Sequence, residues 1–215
     1  MPFPNEVAAL EALNVRVSRG LKRLARQGHQ GGKLAEPLNE AVDHQLRANG
    51  DHVILEYGDY ECPYSRAAYR EIQRVAREVE FRFVFRHFPL TEIHPRALAA
   101  AAAAEAAALQ GQFWEMHDWL FRHQRTLTDG DLQAAAAELA LDPARFDRDH
   151  ASRPVLDRIG RDVESGVASG EIRGTPTLFV EGVIHRGGYD AATLRAVLAR
   201  VRRSAKREGA QIGES

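Results

Sequence analysis

The chain has 215 residues, of which 44% are hydrophobic and 27% charged, and its formal net charge is −1. This composition is typical of a folded globular protein, and the near-neutral charge gives no global field that would attract nucleic acid or acidic lipid. No apolar run approaches the roughly 20 residues of a membrane-spanning helix, and the N-terminal sequence lacks the charged start and apolar core of a secretory signal. We therefore expect a cytoplasmic protein without a membrane span.

Residues 1–40 are predicted to form an N-terminal helix followed by a linker. Five apolar residues recur at helical spacing: Leu10, Leu13, Val17, Leu21 and Leu24. A basic amphipathic helix of this kind can lie on a membrane, dock on a partner or pack on its own chain. Because it is short and has no aromatic anchor, we expect it to pack on its own domain or on a second subunit, which would make an oligomer. Glycines and a closing proline predict a flexible linker at residues 27–37.

The main domain, predicted at residues 41–207, begins with a strand, a helix and a second strand. The β-branched apolar run HVILEY starts at His52 and predicts a buried strand, which a glycine and an aspartate end. Pro63 then suits the first position of a helix. The run FRFVF, at residues 81–85, predicts the next strand. A strand–helix–strand unit of this length predicts two parallel strands.

A block of helices is predicted from about residue 91 to residue 170. The segment ALAAAAAAEAAALQG is close to polyalanine, which is a strong helix former and permits close packing. Large aromatic residues follow at once in FWEMHDWLF, so we expect this region to be folded. Asp129 or Asp131 is available to cap a further helix, and Asp142 with Pro143 predicts the start of the next one.

Strands return near the C-terminal end of the chain. The segment TLFVEGVIHR contains two apolar runs joined by Glu181 and Gly182, which predict a two-residue hairpin turn. A final helix has Leu194, Val197, Leu198 and Val201 on one face, and residues 208–215 are predicted to be a flexible tail. The order is therefore βαβ, a block of helices and then ββα, which indicates an α/β fold.

Cys62 is the single cysteine of the chain, in the sequence DYECPYS. It directly precedes Pro63, so we predict that it is the N-cap of the helix that follows. The free N–H groups of the first turn and the positive end of the helix dipole would stabilise a thiolate, the reactive form of cysteine. Ser65 lies about one turn on, and we predict that its hydroxyl donates a hydrogen bond to the sulfur. Asp59 and Glu61 are polar neighbours, so we expect an exposed loop rather than a buried, inert cysteine.

A second segment of interest is RGTPTLFV, in which Pro176 immediately precedes a strand. Proline is accepted at the start of a strand, and its peptide bond there is either trans or cis. The residues of this segment alone leave both forms open.

Taken together, these segments resemble the DsbA-like branch of the thioredoxin fold. The sequence EYGDYECPYS is similar to the active-site strand and turn of that family. FVFRHFPL, IHPRALAAAAAAEAA and GQFWEMHDWLF resemble the start of the helical insertion in bacterial members, and GVASGEIRGTPTLFVEGV resembles the segment that carries a cis-proline. The resemblance covers about residues 50–200 and implies a thioredoxin fold with a helical insertion, at about 91–170, between its βαβ and ββα halves.

The resemblance also implies roles for individual residues. Cys62 would be the nucleophile that attacks a disulfide and forms a mixed disulfide with the substrate. Pro176 would be cis and face Cys62, and Thr175 would offer its backbone to an extended substrate segment as an added strand. Pro63 and Tyr64 would tune the thiolate and form the rim of the site.

Ser65 stands where the family pattern has a second, resolving cysteine, so this chain departs from the pattern at a functional position. Without that cysteine, Cys62 forms no internal disulfide, and four alternatives stay open. The protein exchanges thiols with glutathione or a similar small thiol; it isomerises or reduces mixed disulfides with the help of an outside thiol; it is a redox-inactive binding module; or Ser65 was introduced to trap mixed disulfides.

Other candidate chemistry is weaker. His87 with His94, and His117 with His123, lack zinc-ligand spacing, and there is no cysteine cluster, so we expect no metal site and no resident cofactor. Glutathione or another low-molecular-weight thiol is the expected co-substrate. Disulfide-containing proteins or peptides are the expected partners, and nucleic acid is not.

Overall fold

The computed structural model describes residues 31–46 and 50–212, together with Ala12, Val15 and Arg19, which are helical. The rest of the predicted N-terminal helix lies outside the described residues, as do residues 213–215 of the predicted tail. Its predicted apolar positions are among them: Leu10, Leu13, Val17, Leu21 and Leu24.

A five-stranded sheet forms the centre of the fold, with the strands in the order β1-β3-β2-β4-β5. The strands are β1 (His44–Leu46), β2 (Val53–Gly58), β3 (Arg82–His87), β4 (Thr177–Val180) and β5 (Val183–His185). The helices are α1 (Pro63–Val75), α2 (Ala97–Ala108), α3 (Phe113–Arg122), α4 (Asp129–Glu138), α5 (Pro143–His150), α6 (Arg153–Ser169) and α7 (Ala191–Ile212).

The strand pairing confirms the predicted order of elements. β2 and β3 are parallel and are joined by α1, β4 pairs antiparallel with β2, and β5 pairs antiparallel with β4. Glu181 and Gly182 link β4 to β5 with φ values of 50° and 74°. Two positive φ angles are characteristic of the tight turn whose twist matches a hairpin, so the predicted turn is confirmed. Helices α2 to α6 lie between the two halves, which confirms an α/β fold with a helical insertion.

Alternation along the strands separates two packed faces of the sheet. On one face, Phe83 and Phe85 of β3 have ring contacts with Tyr69 of α1 and His117 of α3. On the opposite face, the Tyr57 hydroxyl lies 2.7 Å from the Ser165 hydroxyl of α6. Because both faces are covered, the centre of the sheet is buried, and the loop after β2 lies between helices from both halves.

Four local features differ from the sequence-based predictions. Thr128, rather than Asp129 or Asp131, is the N-cap of α4, because its hydroxyl accepts a hydrogen bond from the Asp131 amide. The Asp131 side chain accepts one from the Thr128 amide in return, which completes a capping box. The predicted linker is held at Gly32, whose carbonyl accepts a 2.7 Å hydrogen bond from the Ile184 amide. The short strand β1 was missed because HQL has no apolar alternation. Helix α7 continues to Ile212, into the predicted tail.

Candidate active site

The site is built around Cys62, at the junction of β2 and α1. Cys62 is the N-cap of α1 and Pro63 occupies the first turn, as predicted. The Cys62 Sγ donates a hydrogen bond to the Thr175 carbonyl oxygen at 3.1 Å. The Thr175–Pro176 peptide bond is cis, as the family resemblance implied. Two segments separated by more than a hundred residues of sequence therefore meet at one sulfur atom.

The loop that carries Cys62 is buried, so the prediction of an exposed loop was wrong. Cys62 is 3% exposed and Asp59 2%, whereas Tyr64, on the first turn of α1, is 64% exposed. The polar groups of the loop are buried because they have partners inside the fold. The Asp59 carboxylate accepts hydrogen bonds from the amides of Glu61 and Leu90 at 2.8 and 2.9 Å, and it lies 2.8 Å from His94 Nδ1.

Gln124, just after α3, fixes the same loop from the other side. Its side-chain nitrogen donates hydrogen bonds to the carbonyl oxygens of Tyr60 at 2.7 Å and of Cys62 at 2.8 Å. A buried carbonyl without a partner is costly, so this amide stabilises the backbone on both sides of Glu61. Gln124 was not predicted from the sequence, because no local pattern shows that a residue from the helical insertion reaches this loop.

Ser65 lies beneath the loop and does not act on the sulfur as predicted. It is fully buried, and its hydroxyl accepts a hydrogen bond from the Asp59 amide at 3.3 Å. The sulfur donates to the Thr175 carbonyl instead. The first turn of α1 directs Ser65 into the protein and Tyr64 towards the surface, so the position of the missing second cysteine faces the interior.

Glu56, in the middle of β2, is the ionisable side chain beneath Ser65. It is fully buried, and neither carboxyl oxygen has a hydrogen-bond partner among the described residues. Burial raises the pKa of Glu56 to about 8, and the nearby Ser65 hydroxyl offsets this only in part. The Glu56 carboxyl group is therefore mostly protonated at neutral pH. The sequence carried a signal for it, because a glutamate interrupts the apolar run HVILEY.

Tyr189 completes the rim on the side of α7. It is half-buried, and its pKa is raised by burial and by the nearby Tyr64 hydroxyl and Cys62 sulfur. Tyr189 thus lies close to Tyr64 and to the Cys62 sulfur, and it was not predicted from the sequence, unlike Tyr64.

A second buried cluster lies away from Cys62 and contains the side chains best placed to hold a metal. His44 Nε2 and His87 Nε2 each lie 2.8 Å from the same Glu105 oxygen. Two imidazoles and a carboxylate are a common zinc-ligand set, which the spacing of His87 and His94 did not indicate. However, Arg158 Nε lies 3.9 Å from that oxygen. The fixed positive charge of Arg158 already compensates the carboxylate and disfavours a divalent cation there.

These features define a class of site: a cysteine at a helix N-terminus after a central strand, facing the residue before a cis-proline. A family model described as Thioredoxin matches residues 47–200, and the chain belongs to this family. Proteins named alpha-DsbA1 and BdbD are among its solved structural neighbours, so the predicted thioredoxin fold is confirmed.

Individual structures support this assignment. A thioredoxin-like oxidoreductase from Silicibacter pomeroyi is 27% identical, with a TM-score of 0.69 over 77% of this chain and 95% of that one. Wolbachia pipientis alpha-DsbA1 is 21% identical, with a TM-score of 0.67 over 80% of this chain and 96% of that one. Oxidised BdbD from Bacillus subtilis is 18% identical, with a TM-score of 0.68 over 81% and 98%. The last two identities show a shared fold alone.

The curated relatives are named as antiporters, not as oxidoreductases. A protein of Mycolicibacterium vanbaalenii named Na(+)/H(+) antiporter NhaA 1 is 43% identical over 179 residues, which is 80% of this chain and 29% of that protein. A Salinispora arenicola protein of the same name is 44% identical over 67% of this chain and 22% of its own length. This chain therefore spans less than a third of these relatives. In the part of the chain that the structure describes, no helix has the length and apolarity needed to cross a bilayer.

Proposed function

We propose that the protein is a thiol–disulfide oxidoreductase that acts through Cys62 alone. The observation that carries the proposal is the meeting of the Cys62 sulfur with the Thr175 carbonyl, 3.1 Å apart, beside a cis-proline at the N-terminus of α1. The backbone at Thr175 is placed to guide an extended chain to the sulfur at the start of α1.

The exchange requires no oxidant or reductant beyond the substrates. The Cys62 thiolate attacks one sulfur of a disulfide; that S–S bond breaks, the leaving sulfur departs as a thiolate, and a mixed disulfide forms. Because Ser65 supplies no second thiol, the thiolate of an outside molecule then attacks the partner's sulfur and releases Cys62. We propose glutathione or a similar small thiol for this step, and the cytoplasmic location stays a prediction.

The test follows transfer from a glutathionylated peptide to the reduced full chain by mass spectrometry. We expect a mixed disulfide on Cys62 and none with Cys62→Ala. We also expect Ser65→Cys to reduce insulin disulfides faster than the native chain, because the buried position would then supply a resolving thiol. Absence of any mixed disulfide on the native chain would contradict the proposal.

A second candidate is a binding module that works beside an ion transporter. The similarity to a segment of proteins named as antiporters favours it, as does the absence of a resolving cysteine. Binding of the chain to the purified Mycolicibacterium vanbaalenii antiporter can be measured on a sensor surface. Equal binding by the native chain and Cys62→Ala, without disulfide exchange, would support the module. No binding, or binding that requires Cys62, would contradict it.

A further inference from the structure

Three arginines belong to the segments that adjoin Cys62. Arg66 follows it by one helical turn, with its amide 3.2 Å from the Cys62 carbonyl oxygen. Arg70 is one turn further along the same face of α1. Helical side chains generally lean towards the N-terminus of their helix, which here is the end that carries the sulfur.

The third arginine comes from a different element. Arg125 directly follows Gln124, whose side-chain amide donates 2.8 Å from the same Cys62 carbonyl. Arg70 and Arg125 are exposed, and Arg66 is half-buried. Burial lowers the pKa of Arg66, and the positive charges of Arg70 and Arg125 lower it further. Arg66 is therefore close enough to each of the other two arginines to be affected by its positive charge.

The three guanidinium groups are unpaired within the described part of the chain. None of them forms a salt bridge among the described residues, and Arg66 Nε is buried there without a hydrogen-bond partner. Two acids of the same region accept hydrogen bonds from backbone amides instead. Glu61 accepts a 2.7 Å hydrogen bond from the Arg96 amide, and Glu71 accepts one of 2.9 Å from the Ala191 amide.

We propose that Arg66, Arg70 and Arg125 form an anion-binding surface that selects disulfide partners with carboxylates close to their sulfur atoms. Clustered arginines without partners attract anions and bind carboxylates through paired N–H donors. The inference rests on the proposed exchange at Cys62 and adds the chemistry of the partner. The incoming disulfide is attacked by Cys62 as described above, and the arginines hold its carboxylates and the thiolate that leaves.

The test compares two chromogenic disulfides on the reduced full chain: dianionic dithiobis(nitrobenzoate) and neutral dithiodipyridine. The quantity of interest is the ratio of their second-order rate constants, because a change in Cys62 itself affects both rates. The site variant carries Arg66→Gln, Arg70→Gln and Arg125→Gln. We expect its anionic-to-neutral ratio to fall about tenfold. Raising the salt to about 1 M should lower the native ratio in the same direction.

The matched control carries Arg74→Gln, Arg77→Gln and Arg203→Gln, which remove the same charge from exposed positions. Arg74 is roughly 18 Å along the helix axis from Cys62, given the rise of 1.5 Å per residue. We expect the control to keep the native ratio. Because Arg66 is half-buried, the double variant Arg70→Gln with Arg125→Gln is a second measurement, and it should show a smaller fall.

The outcomes separate the inference from the function on which it rests. If neither disulfide reacts at Cys62, the proposed exchange fails. If both react and the site variant keeps the native ratio, or the control lowers it equally, the anion-binding surface alone is overturned.

Two sources of carboxylate are distinguished with glutathione disulfide and with an acidic peptide that carries a neutral mixed disulfide. A rate loss in the site variant with the first identifies a small anionic thiol as the partner, and a loss with the second identifies an acidic protein segment. No loss with either overturns the proposal.

Discussion

Glu56 and Glu105 are both buried glutamates, 0% and 5% exposed, yet their surroundings drive their protonation in opposite directions. Glu56 has no hydrogen-bond partner among the described residues, and burial raises its pKa to about 8. Burial alone would also raise the pKa of Glu105, but hydrogen bonds from His44 and His87 outweigh it and hold the pKa well below its usual range. The same residue type thus stabilises the fold as an anion in one place and holds a proton beneath Ser65 in the other.

The largest expected effect is at Glu105. Glu105→Gln removes the charge that His44, His87 and Arg158 share, and a broken buried ion pair costs about 3–5 kcal/mol. Because the pKa of Glu105 is lowered in the folded state, its contribution is present at neutral pH and is lost as the pH falls below the unfolded value of about 4.3. Urea unfolding at several pH values measures this. The exposed variant Glu80→Gln is the control, and an equal loss there would contradict the assignment.

The second effect, at Glu56, has the opposite sign. A carboxyl whose folded pKa is raised binds its proton more tightly when folded, so native stability should fall as the pH rises from about 4.5 to 8. Glu56→Gln should be as stable as the native chain at low pH and more stable above pH 8, by up to about 5 kcal/mol, because each unit of pKa shift corresponds to about 1.4 kcal/mol. The free energy of unfolding across this range is the measurement. A variant that is less stable than the native chain at high pH would show that Glu56 is a stabilising anion like Glu105.

The smallest effect is expected at Ser65, whose hydroxyl lies between Glu56 and the loop that carries Cys62. Ser65→Ala removes the acceptor of the Asp59 amide and should cost about 1 kcal/mol. It also removes the group that partly offsets the burial of Glu56, so the pH midpoint of the stability change should move upwards. The control is Ser169→Ala, which removes another buried hydroxyl. That hydroxyl accepts a 3.2 Å hydrogen bond from the Glu171 amide. A midpoint that moves equally in both variants would contradict the effect of the Ser65 hydroxyl on the pKa of Glu56.

Features encoded by neighbouring residues were predictable from the sequence. Proline after Cys62 indicated a helix start, and Glu181 with Gly182 indicated a hairpin. The direction of the Ser65 side chain was not predictable, because it depends on where Asp59 and Glu56 lie in the folded chain. Local patterns describe the backbone well, whereas hydrogen-bond partners are chosen by tertiary packing.

The parts of the site that come from distant sequence were missed for the same reason. Gln124 lies more than sixty residues after the loop that it holds, and no periodicity links the two. His44, His87 and Glu105 come from two strands and a helix, so zinc-ligand spacing along the chain could not reveal their meeting. His44 and His87 reach the same Glu105 oxygen because β1 pairs with β3.

The hydrogen bond from the Cys62 thiol to the Thr175 carbonyl has a consequence for the order of events in catalysis. The oxygen that holds the thiol proton is also the acceptor that an added strand would use. An arriving peptide amide therefore competes with the resting thiol for this oxygen. We expect docking of the substrate backbone to break the hydrogen bond from the thiol, so that the sulfur is free to react only when a substrate is bound.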